Sequence, residues 1–350
     1  MKRRRMTMTK YKITLKPIGK FFFGGDMRFS LNGDKNEYVS YIIQSMMFPQ
    51  QTSLLGMLRF LILRNSKAFN NDKQVIVDKE EAKKLIGDRS FSMENKESNF
   101  GVISSISPCY LSEDNRLLLP ELMNRKNEPF GAVKQTFSAI INETEKENVP
   151  YLDEYNAKNG TVLCFGNHSV SDIFKEDCRN GIDRDIETGK TGEKSLFKQI
   201  SYQFKNDKYA FCFFANVNTD LTAYNNQIVS LGADSSYFSF FAEVATNEEI
   251  QSQKGKKIVL TSDAYIPSGE DLVTLCISET TPFKYLQTSV DKTEHYNRLN
   301  SKIITSNKAN LYRKGSIFFF ENEENCRDFQ AIIEAQKNFR QIGYNYYTVK

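Results

Sequence analysis

The chain has 350 residues with two histidines, six cysteines and no tryptophan, so acid–base and metal chemistry have few candidates. His168 sits in FGNHSV and His295 in DKTEHYNRLN, each in polar surroundings with no cysteine or second histidine at ligand spacing. Both read as hydrogen-bonded or solvated surface residues. Cys109, Cys164, Cys178, Cys212, Cys276 and Cys326 never lie closer than 14 residues, which excludes a Cys-x-x-Cys knuckle and points to scattered reduced thiols. The phosphate loop GxxxxGK[ST], the dinucleotide fingerprint GxGxxG and the hydrolase elbow GxSxG are absent. Asp183 and Asp185 can approach a magnesium ion, but DRD in a glycine-flanked segment reads as a solvated charge cluster. The expectation is therefore a protein that is not an enzyme and holds neither metal nor cofactor.

What remains is basic, glycine-bearing and aromatic. Lys and Arg number 47 against 43 Asp and Glu, a net +4, but residues 1–67 carry 13 basic and three acidic side chains, a local +10. Lys2 to Arg5 supply four of those charges. Such asymmetry is the signature of a polyanionic or acidic partner. Phosphate backbones require cations together with amides at glycine turns or helix starts, and unstacked bases require aromatic or guanidinium planes. Pro49 to Arg59, PQQTSLLGMLR, offers Gln50, Gln51, Thr52 and Ser53 at a helix start, with Arg59 on the side opposite the leucines. Arg28 lies in the glycine-bearing segment before it. A second basic cluster, Lys292 to Lys314, has six Lys or Arg and only Glu294.

The elements that must position these groups follow from periodicity. Tyr11, Ile13 and Leu15 alternate with polar neighbours, predicting a strand that Pro17 ends. Phe21 to Asn36 reads as loop. Leu54, Leu58, Leu61 and Ile62 predict a helix capped by Thr52 or Ser53 and running to about Asn65. Strands are expected at Val102 to Ile106, Arg116 to Leu119, Phe211 to Val217, Lys257 to Thr261 and Ser316 to Phe320, and a helix at Cys326 to Phe339 before a last strand. Asn180 to Phe197 reads as a long loop or protruding hairpin, and the acidic stretch Ile141 to Glu176 as a boundary. Strands interleaved with helices on antiparallel sheets give an α+β fold: two ferredoxin-like (RRM-like) domains in tandem, residues 1–155 and 156–350, with long inserted loops or hairpins. The longest apolar run, Leu54 to Leu63, is too short to span a membrane, and the charged start lacks an apolar leader core, so a cytoplasmic protein is expected.

PQQTSLLGMLRFLI resembles the first-helix signature of RAMP-superfamily CRISPR proteins, and within them the third-subunit family of the type III-B (Cmr) effector complex. FFFGGDMRF (Phe21 to Phe29) is similar to the element preceding that helix, and Pro49, Gln50, Thr52 or Ser53, Gly56 and Arg59 fill its pattern. Gly181 to Phe197 resembles a second family element, IVSLGADSS (Ile228 to Ser236) a family turn, and IGYN (Ile342 to Asn345) the C-terminal glycine loop. Ala233, Asp234 and Ser235 replace the usual Gly, Glu and basic residue, so no RNA contact is carried onto that turn.

The resemblance implies a non-catalytic, RNA-binding structural subunit in antiviral defence. It would help to hold the 5′ handle of the guide (CRISPR) RNA, contact the large polymerase-like and backbone RAMP subunits, and meet target RNA only indirectly. The implied RNA-binding residues are Gln50, Gln51, Thr52, Ser53, Arg59, Arg28, Gly181, Ile182, Arg184, Lys194, Arg340 and Gly343. The alternatives are the equivalent subunit of a type III-A (Csm) complex, or a RAMP-type endoribonuclease processing repeat RNA with His168 or His295 as base. If Arg59 meets a phosphate, Arg59→Ala reduces the salt slope of guide binding by about one unit; an unchanged slope removes it from the interface.

Overall fold

A computed structural model of the chain describes residues 8–25, 27–32, 37–141, 145–184, 188–189, 191–245, 254–291 and 305–350. In chain order, the elements that matter for the site are β1 (Thr9–Pro17), β2 (Met27–Asn32), β3 (Glu37–Gln44), α1 (Gln51–Arg64) and α2 (Lys79–Ile86). Next come β4 (Ile103–Ile106), β5 (Tyr110–Glu113), the long pair β6 (Phe174–Arg184) and β7 (Thr191–Phe204), then β8 (Tyr209–Val217), β9 (Ile228–Ser230) and β10 (Tyr237–Val244). The C-terminal part has β11 (Lys257–Leu260), β12 (Leu275–Ile277), β13 (Thr280–Phe283), β14 (Ala309–Tyr312), β15 (Ile317–Phe319), α3 (Glu323–Glu334), α4 (Lys337–Gln341) and β16 (Tyr347–Val349).

The result is a strand-rich mixture of α and β organised around two antiparallel sheets. The first has the order β9-β10-β1-β8-β5, continued by the short strand Arg116–Leu118, with β4 pairing beside β5 on β8. The alternation read from sequence sets its two faces: Tyr11, Ile13 and Leu15 are 5%, 0% and 0% exposed, while Lys10, Lys12 and Thr14 point the other way. α1 covers the buried face, because Leu54, Leu58, Leu61 and Ile62 recur on one side and all are buried against it. Each such side chain contributes roughly 1.5–3 kcal/mol on burial. The second sheet has the order β12-β15-β11-β16. α3 lies against it through Cys326, Phe329 and Ile333. Asn322 accepts a hydrogen bond from the Asn325 amide at 2.8 Å and caps α3, with Glu323 and Glu324 in its first turn.

Several expectations are corrected. The segment read as loop contains β2, antiparallel to β3; in the sequence Met27, Phe29 and Leu31 alternate with Arg28, Ser30 and Asn32, a period-two signal passed over between Gly24, Gly25 and Gly33. α1 begins at Gln51 with Gln50 at the cap position, ahead of Thr52 and Ser53, and no side chain caps it. The single helix expected over Cys326 to Phe339 is two, α3 and α4, broken around Ala335 and Gln336. The division at 155 cuts the first sheet, since β1, β4 and β5 precede it and β8 to β10 follow it. Of the two readings of Asn180 to Phe197, its described residues follow the hairpin, in β6 and β7, and β7 runs parallel to β3 in a separate four-stranded sheet. Lys2 to Arg5, His295, Asp185 and most of the Lys292 to Lys314 cluster lie outside the described residues.

One buried carboxylate ties the C-terminal sheet down. Glu121, 7% exposed, receives a hydrogen bond from Lys257 Nζ at 2.9 Å and another from Lys350. Burial by itself would raise its carboxyl, but the hydrogen bonds and charges of Lys350 and Lys257 outweigh it and hold the group below its ordinary 4.5. A carboxyl depressed in the folded state contributes stability above its unfolded value, and that stability is lost as pH falls through the folded value. Thermal unfolding measured from pH 7 down to pH 3 should thus fall steeply below about pH 4.5 in the parent chain, and Glu121→Gln should flatten that part of the curve. Parallel curves would show that the lysines contribute nothing there.

Candidate nucleic-acid interface

The start of α1 is held from the far end of the chain. Gln51 is 5% exposed, and its side-chain amide donates to Ser107 O at 2.8 Å and Ile342 O at 3.0 Å while accepting from the Cys109 amide at 3.2 Å. The buried Tyr344 side chain lies beside this start, where the Gln51 and Thr52 backbone and the Thr52 side chain favour the ionised form of its hydroxyl. Burial pushes that phenol well above its ordinary value. Asn345, 0% exposed at φ 60°, completes the loop. Its side chain donates to Tyr265 O and Ile333 O and accepts from the Tyr265 amide.

Gly343 is required between these groups. Its φ is +89°, and a Cβ there would lie 1.9 Å from Gln51 Nε2 and 2.3 Å from Ser107 O. Gln51 and Gly343, read from sequence as RNA-binding, are therefore buried structural partners whose polar groups are already matched. Arg59 is committed in part. Its Nε donates to Ile86 O at 2.7 Å and its Nη2 to Gly87 O at 3.4 Å, so the guanidinium caps the C-terminus of α2, and burial draws it down to about 10. It is half-buried, because α2, unforeseen in the sequence, covers part of that side of α1, and it still lines the second section of the groove described next.

Gln50, Thr52 and Ser53 do come together, along a groove in three adjoining sections. The first, about 470 Å³, lies between Gln44, Gln50 and Tyr202 on one side and Lys284, Lys308 and Arg313 on the other. The second, about 460 Å³, is shared by Gln50, Thr52, Ser53, Lys284, Tyr285 and Thr305. The third, about 440 Å³, passes Ser53 and Gly56 to reach Gly24 and the Leu231–Ala233 turn. That turn is joined to the phenylalanine-rich segment by the Ala233 amide on Phe22 O at 2.8 Å and the Phe22 amide on Ser236 Oγ at 2.8 Å. Three motifs remote in sequence thus meet around the exposed side of α1.

Lys284 and Lys308 are exposed and have no ion-pair partner among the described residues, whereas Arg313 pairs with Glu279 at 2.8 Å. Lys308 and Arg313 fall in the cluster noted from sequence, but Lys284 was missed. Buried Phe283 and Tyr285 alternating with exposed Pro282, Lys284 and Leu286 is the period-two signal that places Lys284 on a wet face. Lys314, of the same cluster, turns inward instead: its Nζ is 3.6 Å from the Phe48 ring centre and 3.4 Å from Cys109 O, and desolvation lowers it.

The other sequence-selected residues are elsewhere. Arg28 stands opposite Ile42 in the β2–β3 pair, Arg184 opposite Thr191, and Lys194 lies within β7. Gly181 sits beneath the Phe197 ring, where a Cβ would meet it at 2.1 Å, and Ile182 is 51% exposed. This hairpin touches the groove at its base, where Gln44 Nε2 donates to the Tyr202 hydroxyl at 2.7 Å. Arg340 lines a separate cleft. His168 lies 3.4 Å from Glu113, which also pairs with Lys208. Among the described residues no cluster of three potential metal ligands exists, and no helix is long and apolar enough to cross a membrane.

A strand-rich α+β protein with a basic groove across a buried helix start is the class these features define. Residues 165–349 match the family model described as CRISPR-associated protein (Cas_Cmr3), and the chain belongs to that family. Two cryo-EM structures contain chains of similar fold. One is described as the type III-B Cmr-beta bound to cognate target RNA and AMPPnP, state 1, with TM-score 0.50 and 13% identity over 96% of this chain and 95% of that one. The other, the type III-B Cmr-beta bound to cognate target RNA, gives TM-score 0.50 and 14% identity over 97% and 96%. No curated protein matches.

Two substitutions separate structural from binding roles. Gly343→Ala should cost more than ~2 kcal/mol in chemical denaturation, because the methyl collides with Gln51 and Ser107 at a positive φ. Arg59→Ala should cost about 1.5–3 kcal/mol through loss of its charged hydrogen bonds, while the salt slope of RNA binding stays unchanged. A changed slope with parental stability would restore Arg59 to the interface.

Proposed function

We propose that the chain is a non-catalytic, RNA-binding structural subunit of a type III-B (Cmr) CRISPR ribonucleoprotein. It acts in the cytoplasm, helping to hold the 5′ handle of the guide RNA and linking the large polymerase-like subunit to the backbone subunits. The observation that carries the reading is the groove along α1, where Lys284 and Lys308, with no ion-pair partner among the described residues, line the same groove as Gln50, Thr52 and Ser53 in a member of the Cas_Cmr3 family. Lysines and helix-start hydroxyls suit a phosphate backbone, and among the described residues the groove lining includes no histidine, aspartate or glutamate. The β6–β7 hairpin, with Gly181, Ile182, Arg184 and Lys194, is read as an arm reaching RNA or a neighbouring subunit.

The architecture is read as two tandem ferredoxin-like units. Taking β1, β5, β8 and β10 as strands one to four, the first sheet runs 4-1-3-2, all antiparallel; β11, β12, β15 and β16 give the same order in the second. The division then falls between Val244 and Lys257, with β2, β3, β6 and β7 as insertions in the first unit.

Co-expression with the other Cmr subunits and a repeat-spacer RNA should yield a particle containing this chain; its exclusion from the particle would end the proposal. Within that particle, Lys284→Ala and Lys308→Ala should each weaken guide retention alike for all spacer sequences and reduce the salt slope by roughly 0.7 units. Slopes equal to the parent would move the handle off this groove.

A further inference from the structure

A second cleft, about 550 Å³, opens between the outer face of the first sheet and the C-terminal segment, and it shares no lining residue with the groove along α1. Its volume falls in the roughly 300–1,000 Å³ range of small-molecule sites. One wall is Phe214 of β8, with Lys10 Nζ 5.2 Å from its ring centre. The facing wall is a layered pair, the Arg340 guanidinium 4.8 Å from the centre of the Tyr346 ring. Arg340 is held in that layer by its hydrogen bond to Asn345 O at 3.0 Å and by Glu334 at 3.8 Å.

Two polar groups in the cleft are left open. Asn216 donates through Nδ2 to Ser105 Oγ at 2.9 Å, but its Oδ1 has no hydrogen bond among the described residues, and neither has the Tyr346 hydroxyl. Glu334, by contrast, accepts from the Tyr347 hydroxyl at 2.7 Å and offsets Arg340, which leaves Lys10 as the uncompensated charge. The occupant must therefore combine a planar π surface, a hydrogen-bonding edge and a negative group. An aliphatic ligand offers no plane to match the guanidinium–phenol layer, and an isolated anion leaves both walls unused.

We propose that this cleft takes one unstacked nucleotide. Its base lies between the Arg340–Tyr346 layer and Phe214, its edge meets Asn216 Oδ1 and the Tyr346 hydroxyl, and its phosphate is drawn to Lys10. A free mononucleotide and a nucleotide of a bound RNA strand present the same chemistry. The site stands independently of the reading given to the groove along α1.

The full chain is titrated with AMP by calorimetry and, separately, photocrosslinked to single-stranded RNA carrying 4-thiouridine, each for the parent and for Lys10→Ala, Tyr346→Leu, Tyr346→Phe and Lys284→Ala. Saturable AMP binding weakened about tenfold by Lys10→Ala and Tyr346→Leu, less by Tyr346→Phe and not by Lys284→Ala, establishes the site with a free nucleotide as occupant. Crosslinks on the peptide containing Tyr346 and Tyr347, lost in Lys10→Ala, establish it with a strand nucleotide. Lys10 is on the surface of a sheet, so its variant remains informative if Tyr346→Leu unfolds. Absence of both signals, or signals that survive Lys10→Ala, overturns the proposal, whatever the Lys284 variant does to guide binding.

Discussion

The contact on which the rest depends is the closure of the C-terminal loop onto the first helix. Gln51 and Ile342 are separated by 291 positions, yet the Gln51 side chain is fully matched by the backbone of that loop and of the segment leading into β5. A glutamine with both ends hydrogen-bonded costs little to bury; one with either end unmatched costs about 1–3 kcal/mol. The closure thus fixes three things together: where α1 begins, where the second sheet sits against the first, and which side of the helix start remains open. The groove is lined by Gln50, next to this joint in the chain, and the cleft by Ser107, whose carbonyl takes part in it.

Commitment of charge decides which basic residues remain available to a ligand. Arg59 is taken by the carbonyl ends of α2, Lys314 by Phe48 and Cys109 O, and Lys257 and Lys350 by Glu121. Lys20 pairs with Asp177 and Lys208 with Glu113. Against that background Lys284 and Lys308, which have no ion-pair partner among the described residues, carry more weight than their number suggests, since they break no ion pair when they turn to a phosphate. The local +10 of the first 67 residues is consequently a weaker guide than it looked: within α1 it is spent on structure, and Arg64 donates to Gln227 and Ile228 O.

Local pattern was legible where burial is one-sided. Tyr11, Ile13 and Leu15 alternate because the sheet has one face on the core, and the leucines of α1 recur because the helix has one broad face on that sheet. Family membership was legible as well, because short motifs survive where a backbone position admits few residues, as at Gly343. The break between α3 and α4 and the start of α1 were not legible. Both are set by partners such as Tyr344 and Asn338, which reaches Ser92 O and Met93 O from the far side of the chain. The alternation of β2 was written in MRFSLN and passed over among the glycines around it; what the sequence could not show is that its partner β3 pairs on the other edge with β7, some 150 residues later.

The sequence by itself determined the class of fold, the main strands and helices, the absence of familiar catalytic motifs and the family. Only the tertiary structure decided which residues of the helix-start motif face inward, where the two sheets divide and which lysines stay unpaired. The reason is physical. Periodicity and turn chemistry are short-range and written into consecutive residues, whereas the hydrogen bonds of Gln51, Arg59 and Asn345 are to backbone atoms. Any residue can supply a carbonyl, so those bonds leave no trace in the identity of the partner and become visible only when the chain is folded.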